Sequence, residues 1–169
     1  AVVTAAIDSG VTLFDTADIY GNAGGSETLL GKALRGRRDQ VVEQRPLVAS
    51  SAQAFELLRP QLADLPHEEF WLLLLDRGNR LLDRCRVSSG GMHGTVADPK
   101  LIFREALEKR ASGVILCHNH PSGQLRPSME DIQLTKKLVE GGRFLDIAVQ
   151  DHLIIAATGY FSFADNGQL

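Results

Sequence analysis

The residues with the clearest chemical content are His118, Asn119 and His120, then seven intervening residues, Ser128, two more residues and Asp131. Alternate residues of a strand share a face, so His118 and His120 at a strand's end aim two imidazoles at one point while Asn119 points elsewhere. Imidazole nitrogen and carboxylate oxygen both suit zinc, and a catalytic zinc takes three protein ligands and leaves a fourth position to water. Asp131 supplies the third ligand, because Pro121-Ser122-Gly123 lets the chain turn back beside the histidines. The spacing of Ser128 and Asp131 is also that of a helix capping box. The two uses are compatible: Ser128 can accept an amide hydrogen bond at the helix start and still direct its hydroxyl proton into the site. A buried histidine pair would otherwise need separate partners and would repel if protonated, which tips the group towards a metal.

The elements that must position these groups are a short buried strand over Val114–Cys117 and a helix over Ser128–Glu140. Ahead of them, Ser50–Leu65 reads as an amphipathic helix that Pro60 kinks or shortens. Glu69–Leu75 is a strand with apolar residues on both faces, as in a covered sheet. Arg77-Gly78-Asn79 has hairpin-turn chemistry, and Leu81–Val87 returns as the partner strand. Asp98 caps and Pro99 opens a helix to about Arg110, with Glu105 and Lys109 paired four apart. Leu145–Val149 and His152–Ala157 complete the pattern as two further strands. The fold class is α/β, a mixed β-sheet flanked by helices. Asp151 and His152 are either a pair beneath the site or a hydrogen-bonded core histidine with its neighbour. His67 and His93 read as surface loop residues, and the Gly90-Gly91 and Gly94 loop as a flexible lip near the site.

A seam divides the chain. Residues 1 to 42 read as a short helix, a strand over Val11–Phe14, a Gly- and Asn-rich loop, and a helix over Ser26–Leu34 capped by Ser26 with Gly36 past its end. Gln44-Arg45-Pro46 breaks this pattern, which sets the division at 1–45, an orphan βα fragment, and 46–169, the domain with the histidines. A net charge of −3, with neither part basic, does not announce a surface for tracking phosphates, so direct nucleic-acid binding is not expected. The longest apolar run, Phe70–Leu75, is far short of a membrane span. No membrane partner is therefore expected, and the cytoplasm is the default location. Cys85 and Cys117 are far apart in sequence and read as reduced structural thiols.

Glu68, His118-Asn119-His120-Pro121-Ser122-Gly123 and Pro127-Ser128 to Asp131 together resemble the JAMM zinc motif of the JAB/MPN family, in its RadC-type form. The likeness runs from about Pro46 to Leu169 and includes Leu75-Asp76, Asp151 to Ile155 and Ser162-Phe163. It implies a cytidine-deaminase-like JAB/MPN sheet and a Zn²⁺ cofactor. It also implies roles: His118, His120 and Asp131 as zinc ligands, Ser128 as a hydrogen-bond donor to the developing oxyanion, and Glu68 as proton shuttle. Glu69 is the rival for the last role; the alternative for both glutamates is a solvated strand entrance, which is the preferred reading for Glu69.

The activity so implied is hydrolysis of a peptide or isopeptide bond by metal-activated water, with a peptide or protein substrate. The alternative is a non-catalytic zinc-containing binding module associated with DNA repair and genome maintenance. The segment from Ala6 to Val42 instead resembles the aldo-keto reductases, in Phe14 to Gly21 and Ser26-Glu27 to Arg38. In that family the residues matching Asp15 and Tyr20 are catalytic. The matching Lys and His, the nucleotide-phosphate site and most of the barrel's roughly 250 residues have no counterpart here, so NADPH-dependent carbonyl reduction is not expected.

Overall fold

The computed structural model describes residues 2–9, 30, 32–35, 45–90 and 97–169, and the chain divides into two compact units, Ala1–Arg45 and Pro46–Leu169. The first unit opens with helix α1 (Val2–Asp8). The expected strand Val11–Phe14 and most of the helix expected over Ser26–Leu34 lie outside the described residues. Of that helix, Leu30, Lys32 and Ala33 are helical, and the Leu34 amide donates to the Leu30 carbonyl at 2.9 Å.

The second unit is a five-stranded mixed sheet with helices against it. In chain order it contains α2 (Ser51–Leu62), β1 (Glu69–Leu75), β2 (Leu81–Ser89), α3 (Pro99–Glu108), β3 (Gly113–Asn119), α4 (Met129–Phe144), β4 (Ala148–Ala156) and β5 (Gly159–Ser162). The strands lie in the order β2-β1-β3-β4-β5. Among the described strands only β3 and β4 run parallel, and α4 is the crossover between them.

Strand alternation sorts the core into two halves. Leu73, Leu75, Ile115, Cys117, Leu153 and Ile155 pack with Ala54, Phe55, Leu58 and Leu62 of α2. Leu72, Leu74, Val114 and Leu116 point the other way, onto Ile102 and Ala106 of α3 and Leu138 of α4. Because β1 and β3 are covered on both sides, they read as continuous apolar runs.

Local chemistry fixes the ends of the elements. Ser50 caps α2 through Gln53 N, and the helix stops at Leu62, short of the expected Leu65 and two residues after Pro60. The Pro60 ring offers no N–H to the turn before it. In the β1–β2 connection Asp76 Oδ1 accepts the amides of Gly78 and Arg80 at 2.8 and 2.9 Å, and Asn79 takes the left-handed φ of 58°. Asp98 caps α3 through Lys100 N with Pro99 as the first helical residue. The expected Glu105–Lys109 pair gives way to tertiary partners. Lys109 Nζ meets Asp83 at 2.6 Å, and Glu105 takes Arg104.

The largest departure from the sequence reading is β4, one strand where two were expected. Helix α4 runs on to Phe144, past Glu140, and the chain turns at Asp146 with a φ of 54°. A Cβ on Gly142 would lie 2.3 Å from the Ile147 carbonyl oxygen, so this approach needs glycine. Gln150 and Asp151 then continue the strand because their side chains have partners: Gln150 donates to Asn79 Oδ1, and Asp151 accepts from Ser162 Oγ. Strand β5 was not anticipated as a separate element. Among the described residues no helix is long and apolar enough to cross a membrane.

Candidate metal centre

Strand β3 ends in Asn119, so His118 lies within the sheet and His120 just beyond it. His118 is buried, its ring parallel to that of Phe70 on β1, and its backbone pairs with that residue. Asn119 faces away. It accepts the Glu69 amide at 2.8 Å and donates to the His67 carbonyl at 2.9 Å, tying the entrance of β1 to the end of β3.

The capping box at the start of α4 delivers Asp131. Ser128 Oγ accepts from the Asp131 amide at 3.1 Å, and Asp131 Oδ2 accepts from the Ser128 amide at 2.8 Å and its hydroxyl at 2.7 Å. The cap and the metal group are therefore one structure. The Ser128 proton here points to Asp131.

The two Nε2 atoms stand 3.0 Å apart, with His118 Nε2 at 3.2 Å from Asp131 Oδ1 and His120 Nε2 at 3.6 Å from Asp131 Oδ2. Ligands on a tetrahedron with bonds of about 2.0–2.1 Å stand roughly 3.3 Å apart, and these separations straddle that spacing. His120 Nδ1 lies 2.6 Å from the Gln124 carbonyl. A carbonyl can only accept, so Nδ1 carries a proton, and in the neutral ring Nε2 is the atom free to present a lone pair to the cluster. The donor set thus fits a metal: His118, His120 and Asp131 can hold one ion.

Charge tells the same story. The hydrogen bond with Asp131, working against burial, raises the His120 pKa, and the Gln124 carbonyl and the charges of Asp131 and Glu68 add to it. Burial pushes the Asp131 carboxyl up, but the imidazoles of His118 and His120 and the Ser128 hydroxyl hold it far below its ordinary range. The pocket favours positive charge between these groups.

The two glutamates part company. Glu68 precedes β1 with the strand parity of Phe70, and its charge reaches His120. Glu69 has the parity of Trp71 on the opposite face and is buried. Its carboxylate accepts from Arg86 at 2.7 Å and from Trp71 Nε1 at 2.8 Å, and lies 3.2 Å from His67 Nε2. Burial raises the Glu69 pKa, but the bonds from Trp71, Arg86 and His67 outweigh it and leave it lowered. The solvated strand entrance expected for Glu69 is therefore incorrect. Arg86 on β2, unremarkable in sequence, closes it into an ion pair. His67 keeps its exposure but joins this network, whereas His93, Gly91 and Gly94 lie outside the described residues.

The Asp151–His152 pair resolves into two unrelated roles. Asp151 accepts the amides of His152 and Ala164 and the Ser162 hydroxyl. The His152 ring, fully buried, lies against the site: its Nε2 is 2.9 Å from His118 Nδ1 and its Nδ1 is 2.6 Å from Thr135 Oγ1. Thr135 escaped sequence reasoning, although its place four residues after Asp131 puts it on the same helix face. Beside Ser128 an open groove of about 670 Å³ is lined by Leu125, Pro127, Met129, Ile132 and Phe161, with Arg126.

Comparison with known proteins agrees with this geometry. The model of the RadC-like JAB domain matches residues 48–168. A UPF0758 protein of Flavobacterium johnsoniae is 46% identical over 134 residues, covering 78% of this chain and 58% of its own length. A UPF0758 protein of Porphyromonas gingivalis is 44% identical over 131 residues, covering 77% and 58%. The chain therefore spans under two thirds of the length of these curated relatives. Residues 1–50 are similar to the aldo/keto reductase family. With the family model covering all of the sheet and the His118, His120 and Asp131 cluster, the chain belongs to the RadC-like JAB domain family.

Proposed function

We propose that the chain is a zinc-dependent hydrolase of peptide or isopeptide bonds. The observation that carries this reading is the convergence of His118, His120 and Asp131, with Glu68 on the same side of the sheet. His118, His120 and Asp131 would hold the zinc, which when bound would lower the pKa of a water to about 7 and polarise a substrate carbonyl.

The chain's own residues do the rest. Glu68 takes a proton from the attacking water and returns it to the departing amine, a task Glu69 cannot share because its carboxylate is committed to Arg86 and Trp71. Ser128 turns its hydroxyl from Asp131 Oδ2 towards the carbonyl oxygen as negative charge develops there. The apolar groove between Leu125, Met129 and Phe161 receives a substrate side chain next to Ser128.

The test pairs zinc content with hydrolysis of a peptide and isopeptide library, for the unmutated chain and for Glu68→Gln. Zinc in both with turnover only in the former supports the reading. Zinc with no turnover in either favours the binding module of genome maintenance.

A further inference from the structure

The hydrogen bonds behind His118 end in a group whose proton can go only one way. Thr135 Oγ1 lies 2.6 Å from the Asp131 backbone carbonyl and 2.6 Å from His152 Nδ1. The carbonyl cannot donate, so the single hydroxyl proton must lie between Thr135 and Asp131; otherwise two acceptor oxygens would be in bare contact. Thr135 Oγ1 is then an acceptor towards His152, and His152 Nδ1 carries a proton. The His152 ring is enclosed by Phe163, at 4.9 Å between centroids, and Phe70, at 5.6 Å. The ring is fully buried and neither of its hydrogen-bond partners is a carboxylate, so this cage suits the neutral imidazole. His152 Nε2 is thus a lone pair, and the 2.9 Å contact to His118 requires the proton on His118 Nδ1.

We infer that Thr135 and His152 are positioning residues that fix the tautomer of His118, so that its Nε2 lone pair faces His120 and Asp131. This rests on the metal reading above. The relay starts at the backbone carbonyl of one ligand, Asp131, and ends on the ring of another, His118, so it also docks α4 onto β3 and β4 at the metal group. Neither residue touches the substrate or the ion. Their effect is to preset a neutral, correctly oriented ligand, a role for which loss commonly lowers metal affinity about 10- to 100-fold.

The test uses the full chain labelled with ¹⁵N-histidine, with zinc and with chelator, and zinc affinity measured by competition with a chromophoric chelator. Imidazole spectra should place the protons of His118 and His152 on Nδ1. Thr135→Val should weaken zinc about 10- to 100-fold while its chelated form melts within a few degrees of the unmutated chain, and Thr135→Ser should restore affinity. A proton on Nε2 of His152 or of metal-free His118, or a Thr135→Val chain that holds zinc as tightly as the unmutated one, overturns the relay. A chain that binds no zinc at all defeats the metal reading instead, and the imidazole spectra of that chain still decide the relay.

Discussion

The two faces of the sheet both bury polar and charged groups, and they do so in opposite ways. On the α2 face, Glu69 is answered by Arg86, Trp71 and His67, and Asp151 by Ser162 and two backbone amides. On the α4 face, the Nε2 atoms of His118 and His120 converge on each other and on the Asp131 carboxylate. Buried polarity alone therefore does not mark a functional site. The donor set does: two imidazoles and a carboxylate whose ligand atoms converge on one point can hold a cation, whereas Glu69 and Asp151 sit in closed hydrogen-bond networks.

Substitutions on the two faces should therefore give opposite readouts. The largest effect is expected from the pair His118→Ala and His120→Ala combined, which should abolish stoichiometric zinc and with it all hydrolysis, checked by metal analysis and assay. Glu68→Gln should keep the zinc and lower turnover by about 10²- to 10⁴-fold. Glu69→Gln should do the reverse, leaving zinc and turnover near normal while lowering stability by about 1–2 kcal/mol. That figure sits at the low end for a charged hydrogen bond because Arg86 is half exposed. Denaturant titration with chelator present measures it, and a Glu69→Gln chain of full stability with no turnover would exchange the two glutamates.

The Glu69 network also has a pH signature. Its carboxyl is held below the ordinary value of 4.5 in the folded chain. The stability it contributes is therefore fully present above about pH 4.5 and is lost as the pH falls through the folded value. The difference in melting temperature between the unmutated chain and Glu69→Gln should shrink on acidification below that point, and a constant difference would remove the ion pair from the account.

Much of this contrast was legible in the sequence. Strand parity separates Glu68 from Glu69, and the spacing of His118, His120, Ser128 and Asp131 shows both the cap and the ligand group. The β1 bounds, the Asp76–Arg80 turn and the Asp98 cap follow from local chemistry, which one sequence displays. What it hides is tertiary. Arg86 finds Glu69 across a strand pair, and Lys109 leaves Glu105 for Asp83 on β2. Thr135 reaches His152 only because α4 crosses the sheet there. The polar Gln150 and Asp151 look like a break in β4 until their partners on other elements are known. The smallest expected effect concerns the other unit: deletion of residues 1–45 should leave zinc stoichiometry unchanged, and the full chain should not oxidise NADPH with aldehydes. Reductase turnover that vanishes in Tyr20→Phe would reverse that assignment.

Elemental analysis of chain purified without chelator decides whether the three side chains at the end of β3 and the start of α4 hold a metal. About one zinc per chain is expected, lost in Asp131→Ala and retained in Glu68→Gln. A chain free of transition metal, or zinc undiminished in Asp131→Ala, would contradict it.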